Sequence, residues 1–372
     1  MLAAIKRTAK AADPRSKVSA LTGILITADA DAFEVSLTAT DLVTTVRCVA
    51  PAPVEEGGSM VVNAQLLTDM FSLFGGEIVR LESRENHLLK LSSEHASYTI
   101  ACLDPDSFPK LELPEMAGSM EVQNLKSLAR QTVFAVSSQA SNPAMRCVKL
   151  EIRQDSLRAV GCDGSVLSAS LRQIASGGST ELLIPADAFS KLAGLISDDE
   201  KLRLGFNDKY ASFYSEEPVR MLFSTRLGHG SYLDVDGLLD HVDRCYEAVV
   251  DAKALCNAIE GLDSVAVPGS HIIRMNFQLG QIGLSYRGEE SSGQTALPAQ
   301  VFVPTPEEGF CLQTKKLLAC LRPMTGEIRL SFSKDGLLVI SAGDQTFLQT
   351  AARERVAAKK TKKTRKPTAK AA

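Results

Sequence analysis

The chain has 372 residues, 45% of them hydrophobic and 23% charged, which supplies apolar material for two or three packed cores and excludes a disordered or fibrous chain. Its net charge of −3 hides a segregation: seven Lys and Arg fall within Val356–Ala372, which leaves the remainder negative by ten. No apolar run approaches the roughly 18–20 residues of a membrane-spanning helix, and the basic N-terminus, MLAAIKRTAKAADPR, lacks the apolar centre of a secretory signal.

Met1–Ala12 predicts a helix, with Leu2, Ile5, Ala9 and Ala12 on one stripe and Lys6, Arg7 and Lys10 beside it. Pro14 ends it. Strands are expected at Thr22–Thr27, Phe33–Thr38 and Thr44–Ala50, then a short strand leading into a helix over Ala64–Phe74 that stops at Gly75-Gly76. Strands at Ile78–Glu82, Leu88–Ser92 and Ser97–Leu103 follow, and the Pro-rich Asp104–Glu115 suits a domain boundary.

Met120–Val122 opens a second stretch of the same kind, with a helix over Leu125–Ala135 carrying Lys126 and Arg130 one turn apart. Two strands around a polar turn, KLEIRQDSLRAVGCDGSVLSASLR (Lys149–Arg172), precede a helix over Ala186–Leu195 and strands at Lys201–Phe206, Ala211–Ser215 and Val219–Thr225. Ser231–Asp243 is the second exit. A third stretch begins at Tyr246–Val250, with helices at Lys253–Ile259 and Thr314–Leu321. Its strands are expected at Ile272–Gln278, Gln281–Tyr286, Glu327–Ser333, Leu337–Ser341 and Thr346–Thr350, with GEESSGQTALPA as a polar interruption. From Ala357 the composition collapses to Ala, Lys and Thr, the composition of a disordered segment.

Two landmarks show that these stretches repeat. Asp41 in SLTATDL and Asp163 in AVGCDGS lie 122 positions apart, and so do Ala64 and Ala186, each where a short strand enters an amphipathic helix. Thr314 repeats that landmark 128 positions further on. The expected organisation is three domains, 1–117, 118–243 and 244–356, followed by a basic tail, 357–372. The fold class is α+β, with two helices per repeat backed by antiparallel sheets.

Nothing in the sequence carries a catalytic site. GxSxG, HExxH and GxxxxGK[ST] are all missing, and the pairs Asp29/Asp31, Asp104/Asp106 and Asp234/Asp236 fall in expected turns, where Asp is common. Eight cysteines without CxxC spacing read as reduced core thiols of a cytosolic protein, and five scattered histidines imply neither metal nor cofactor.

The chain resembles the bacterial DNA polymerase III beta subunits, the sliding clamps. The matching pieces are LTATDL (Leu37–Leu42), SYTIACLDPDSFPKL (Ser97–Leu111), TVFAVSSQASNPAMRCVKLEI (Thr132–Ile152), AVGCDGSVLSA (Ala159–Ala169), LLIPADAFSKL (Leu182–Leu192) and VDAKALCNAI (Val250–Ile259). The resemblance covers nearly all of 1–353 and rests on the order, spacing and repetition of these pieces. It implies three similar domains per chain and two chains joined head to tail in a ring around duplex DNA, helices inside and sheets outside. The implied function is a processivity factor that tethers polymerase and clamp loader through short peptide motifs. The alternative is a clamp-derived scaffold that gathers partners without closing on DNA.

That resemblance assigns residues. Lys6, Arg7, Lys10, Lys126, Arg130 and Lys253 are candidates for a basic strip on the inner helices, where cations attract phosphate without reading bases. Arg15 and Gln139 match family positions that touch DNA. Phe108 and Leu111 match one side of the ring contact, and Val265 and Val267 lie near the other. The partner-peptide pocket would comprise Met145, Cys162, Gly164, Ser165, Leu167, Thr350, Ala351 and Ala352. Here the sequence departs from the family. Ser165-Val166 replaces His-Arg, and Ala351–Glu354 replaces the terminal Pro-Met-Arg-Leu. A peptide would lose on the order of 1–3 kcal/mol for each large apolar side chain missing. The first repeat also begins directly with its helix, so a neighbouring strand edge is expected to lack a partner.

Overall fold

The computed structural model describes residues 1–111, 120–217, 219–267, 269 and 271–352. The expected tail, 357–372, and part of the first expected boundary lie outside the described residues.

The first third of the chain holds α1 (Leu2–Ala9), β1 (Gly23–Asp29), β2 (Glu34–Thr40), β3 (Thr44–Pro51), β4 (Gly58–Asn63), α2 (Ala64–Leu73), β5 (Arg80–Arg84), β6 (Leu88–Ser92) and β7 (Ser97–Ala101). The second holds β8 (Met120–Val122), α3 (Leu125–Thr132), β9 (Cys147–Ile152), β10 (Ser156–Cys162), β11 (Val166–Gln173), β12 (Thr180–Pro185), α4 (Ala186–Ala193), β13 (Leu202–Phe206), β14 (Tyr210–Ser215), β15 (Arg220–Arg226) and α5 (Val235–Asp240). The third holds β16 (Tyr246–Asp251), α6 (Ala252–Val265), β17 (Ile272–Gln278), β18 (Gln281–Arg287), β19 (Ser292–Pro298), β20 (Gln300–Val303), β21 (Phe310–Gln313), α7 (Thr314–Leu321), β22 (Glu327–Phe332), β23 (Leu338–Ala342) and β24 (Gln345–Gln349).

The strand-to-helix landmarks are real helix starts. Asn63 caps α2 by accepting from the Leu66 N–H, and Asp251 caps α6 through the Ala254 N–H. Three local expectations change. The polar interruption contains β19, an edge strand whose side chains are mostly exposed, so backbone pairing with β18 holds it where no apolar alternation announces it. β20 follows it and pairs with β16. The second exit forms α5, a helix too short for a periodic signal, capped by Asp234 through the Gly237 N–H.

Each third divides its strands between two sheets, four and three in the first, four and four in the second, five and four in the last. The eight-stranded sheet runs β4-β1-β2-β3-β15-β14-β13-β8, and the nine-stranded sheet runs β12-β9-β10-β11-β24-β23-β22-β16-β20. Smaller sheets stand at the two ends, β5-β6-β7 from the first third and β19-β18-β17-β21 from the last. β5 pairs with β6 alone, whereas its counterparts β13 and β22 also pair with β8 and β16. The edge expected to be unpartnered is therefore so among the described residues.

The helices cover one face of these sheets: α1 packs on β2 and β3, α3 on β10 and β11, α6 on β18 and β19. One core fills the first two thirds, built on Ile24, Leu67, Leu150, Phe189, Phe213 and Phe223; a second, around Phe277, Phe332 and Phe347, fills the last third. Gly161 is fixed by this packing. A Cβ there would sit 2.2 Å from the Thr132 carbonyl oxygen, so only glycine lets α3 lie so close to β10. No described helix is long and apolar enough to cross a membrane.

Candidate nucleic-acid interface and partner pocket

The two large sheets are each joined across thirds of the chain by the same kind of strand pair. At the first join β3 meets β15, with Thr45 opposite Ser224; at the second β11 meets β24, with Leu167 opposite Leu348. Beside each join an Asp organises the turn that opens the paired strand. Asp41 accepts from the Val43 and Thr44 N–H groups at 3.0 and 2.6 Å, and Asp163 accepts from those of Ser165 and Val166 at 2.8 Å each. Each Asp also takes a lysine from the helix of the following third: Lys191 of α4 pairs with Asp41, and Lys316 of α7 with Asp163. Burial pushes the Asp163 carboxyl up, but Lys316 and the two N–H groups outweigh it and hold the group below its ordinary value. These lysines are missing from the sequence reading because their acceptors lie in another third of the chain.

The face away from the helices differs between the joins. Across the first runs a row of hydroxyls, Thr40, Thr45, Ser224 and Ser212, each opposite the next on a neighbouring strand. The row bonds to itself: Thr45 donates to the Thr40 hydroxyl at 3.0 Å, Thr40 to the Thr44 carbonyl at 2.9 Å, and Ser212 to Ser224 at 3.0 Å. Across the second, the corresponding row is Cys162, Leu167, Leu348 and Val339. These residues are buried in an outer cluster with Val160, Ala169 and Val235, and Met145, Tyr232, Leu233, Leu239, Val242 and Leu337 pack around it.

Six of the eight predicted pocket residues thus come together, in two parts. Met145, Cys162 and Leu167 form a floor, while Gly164, Ser165 and Thr350 form an exposed rim closed by the Thr350 N–H to the Ser165 carbonyl at 3.0 Å. Ala351 and Ala352 turn away toward β21, the Ala352 N–H bonding the Cys311 carbonyl at 2.7 Å. The sequence reading missed α5, which lies over the floor. Arg158 grips Asp236 with two bonds, 2.5 and 3.0 Å, and Tyr232 donates to the Val160 carbonyl at 3.1 Å. The Arg158 guanidinium holds the Asp236 carboxyl below its ordinary value, and burial pushes the Tyr232 phenol up.

On the helix layer, four of the six cations predicted for the inner strip converge on one segment after α4. Lys10 donates to the Gly194 carbonyl at 2.5 Å and Lys126 to that of Ile196 at 2.9 Å, where the helix end concentrates partial negative charge. Arg7 stands 3.8 Å from Glu200 and Arg130 3.3 Å from Asp198. These four tie α1 and α3 to α4. Lys6 and Lys253 are exposed, as is Lys315 on α7, which the sequence reading passed over. Taken together, α1 to α4, α6 and α7 carry Lys6, Arg7, Lys126, Arg130, Lys191, Lys253, Lys315 and Lys316 against Asp69, Asp187, Glu260 and Asp263. In a net-negative chain this layer has twice as many basic as acidic side chains. Arg15 and Gln139 are exposed in matching loops, one after α1 and one after α3.

The four residues assigned to the ring contact separate. Phe108 is only 7% exposed and lies with Ala20 and Val61, half-buried Leu111 packing beside it, so its aromatic ring serves the chain's own packing. Val265 and Val267, at the end of α6, are 45% and 40% exposed. The opposite end of the chain shows Leu73 at 65% and Ile78 at 93%.

A repeated two-helix unit, with sheets that run on across the joins and a cation-rich helix layer, is the architecture of the DNA-clamp class. The fold matches a putative DNA polymerase III beta subunit from Eubacterium rectale, with a TM-score of 0.87, 21% identity and coverage of 95% of this chain and 97% of that one. It also matches the DNA polymerase sliding clamp of Bacillus subtilis, with a TM-score of 0.84, 24% identity and the same coverage. In sequence, the N-terminal and central domain models of the DNA polymerase III beta subunit match residues 1–112 and 119–234. The beta sliding clamp of Bacillus subtilis is 24% identical over 370 residues, 94% of this chain and 96% of that protein. That of Staphylococcus epidermidis is 30% identical over 245 residues, 62% of this chain and 63% of its own. The chain belongs to the DNA polymerase III beta subunit family, the sliding clamps.

Proposed function

We propose that the chain works as a DNA sliding clamp: two copies join head to tail around duplex DNA and tether a polymerase, and the clamp loader that places it, as a non-catalytic processivity subunit. The observation that carries the ring is the matching of half-sheets. Both internal joins pair the third strand of a leading half with the last strand of a trailing half, β3 with β15 and β11 with β24. Among the described residues, the leading half that ends on β19 and the trailing half that ends on β7 have no counterpart in the same chain. A second copy supplies both, and a head-to-tail contact of this kind closes when its rotation does. Val265 and Val267 on one end and Leu73 and Ile78 on the other give that contact apolar area, with Phe108 and Leu111 supporting it from within.

The three domains are taken as 1–117, 118–243 and 244–356. The helix layer would face DNA, with Lys6, Lys253 and Lys315 free to meet phosphates and Arg15 and Gln139 reaching from their loops. Partner peptides would enter at Met145, Cys162, Leu167 and the Gly164–Ser165 rim. Eight free cysteines accord with a cytoplasmic site of action.

The test is imaging and solution mass on one sample, then retention on nicked circular duplex. A ring with a central hole and about twice the 39.9 kDa chain mass, held on circles and lost on linearisation, is expected. A 39.9 kDa species that never closes would make the chain a scaffold instead.

A further inference from the structure

The hairpins that end in the free half-sheets are built like those at the internal joins. β18 and β19 are joined by a turn that the Gly288 N–H closes on the Ser291 carbonyl at 2.8 Å, as Asp41 closes on Thr44 and Asp163 on Val166 at 3.1 Å each. Ser292 therefore stands where Thr45 and Leu167 stand, and Gly293 where Val46 and Ser168 stand. At the other end, β5 and β6 turn over 85–87 as β22 and β23 turn over 334–336. Leu91 thus matches Ile340, and Tyr98, opposite Leu91, matches Phe347, opposite Ile340. Phe223 holds the same place in the middle third, opposite Phe213.

An aromatic residue therefore recurs at one position in all three trailing halves. At the internal joins Phe223 lies opposite Val46 and Phe347 opposite Ser168, and both rings are fully buried. Tyr98 is 39% exposed, its ring edge to face with Phe74 at a centroid distance of 5.7 Å. The matching place on the free leading half is Gly293, where a Cβ would stand 3.0 Å from the Leu262 side chain and 3.4 Å from that of Val265, both on α6. Bare backbone beside an apolar helix face leaves room for a ring from a neighbouring strand.

We propose that β7 of one copy pairs antiparallel with β19 of the next in the register of the internal joins, Tyr98 opposite Gly293, which buries the Tyr98 ring against α6. This rests on the clamp reading and names the side chain that decides the contact. A phenol suits the place, because its hydroxyl keeps a wet edge while its ring supplies apolar area. The Asp–Lys latch of the internal joins has no counterpart here. Gly288 stands at the Asp position, and α2 carries Asp69 as its one charged residue. Backbone pairing and aromatic burial therefore hold this contact without the ion pair that assists the other two.

The test uses the full-length chain. Tyr98→Ala should raise the dimer dissociation constant about thirtyfold or more in sedimentation equilibrium, with the circular dichroism of the dilute single chain unchanged. Thr99→Cys combined with Ser292→Cys places thiols at facing positions about 5.5 Å apart at Cα, within reach of a disulfide. Oxidation should give a covalent dimer. Thr99→Cys with Gln294→Cys, displaced by two residues, should not, and neither should the unsubstituted chain. Unchanged dimerisation of Tyr98→Ala, or linkage through the displaced pair in place of the facing one, would overturn this register and leave the ring standing. A chain that stays at 39.9 kDa at every concentration would instead bring down the clamp reading and this proposal with it.

Discussion

The two internal joins share strands, register and Asp–Lys latch, yet they present opposite chemistry on the face away from the helices. At the first, Thr40, Thr45, Ser224 and Ser212 satisfy their hydroxyls largely with one another; at the second, Cys162, Leu167, Leu348 and Val339 form an apolar row that α5 covers. Backbone geometry therefore does not make a docking site. A row that closes its own hydrogen bonds offers a partner little apolar surface, whereas an apolar row gains free energy from whatever covers it. Of the two joins, only the second has an apolar row on that face, and α5 already packs against it.

The sharpest way to break that comparison is to truncate one member of each row. Leu348→Ala should cost about 3 kcal/mol in urea unfolding, from lost burial and the cavity left behind. Ser224→Ala should cost about 1 kcal/mol, the worth of a hydrogen bond. Equal losses would mean that the rows are not energetically distinct. Gly161→Ala should cost about 2 kcal/mol through its clash with Thr132, measured the same way, while the first join already tolerates a methyl at the matching Ala39.

A smaller effect lies in acid. Because the Asp163 carboxyl is held below its ordinary value, its contribution is present above that ordinary value and is lost as pH falls through the lower folded-state one. Asp163→Asn should flatten the acid limb of a stability–pH profile; a limb as steep as that of the unsubstituted chain would remove the latch from the account. Last, Arg130→Ala should change stability by less than about 0.5 kcal/mol, because its pair with Asp198 is exposed on both sides.

Much of the fold could be read from the chain. The 122-residue offset between the LTATD and GCDG turns set the repeat, and the helix starts at Ala64, Ala186 and Thr314 fell where the pattern put them. β19 escaped because an edge strand held by its backbone needs no apolar alternation. α5 escaped because six residues with a central glycine are too few for a periodic signal, and Arg158, which grips Asp236, comes from distant β10. The pocket floor was legible as Cys162 and Leu167, but its cover was not. Cations on the helices were legible as cations. Lys10 and Lys126 ending on the carbonyls of Gly194 and Ile196 is a tertiary fact that spacing cannot carry.

Because both large sheets straddle a join and the two small sheets are left as single halves, the repeat behaves like a link with one open valence at each end. Joining links inside a chain satisfies valences in pairs and always leaves two, however many links there are. Chain length then sets only how many copies must gather before the first valence meets the last. If six links complete the circle, three to a chain call for two copies, and two to a chain would call for three.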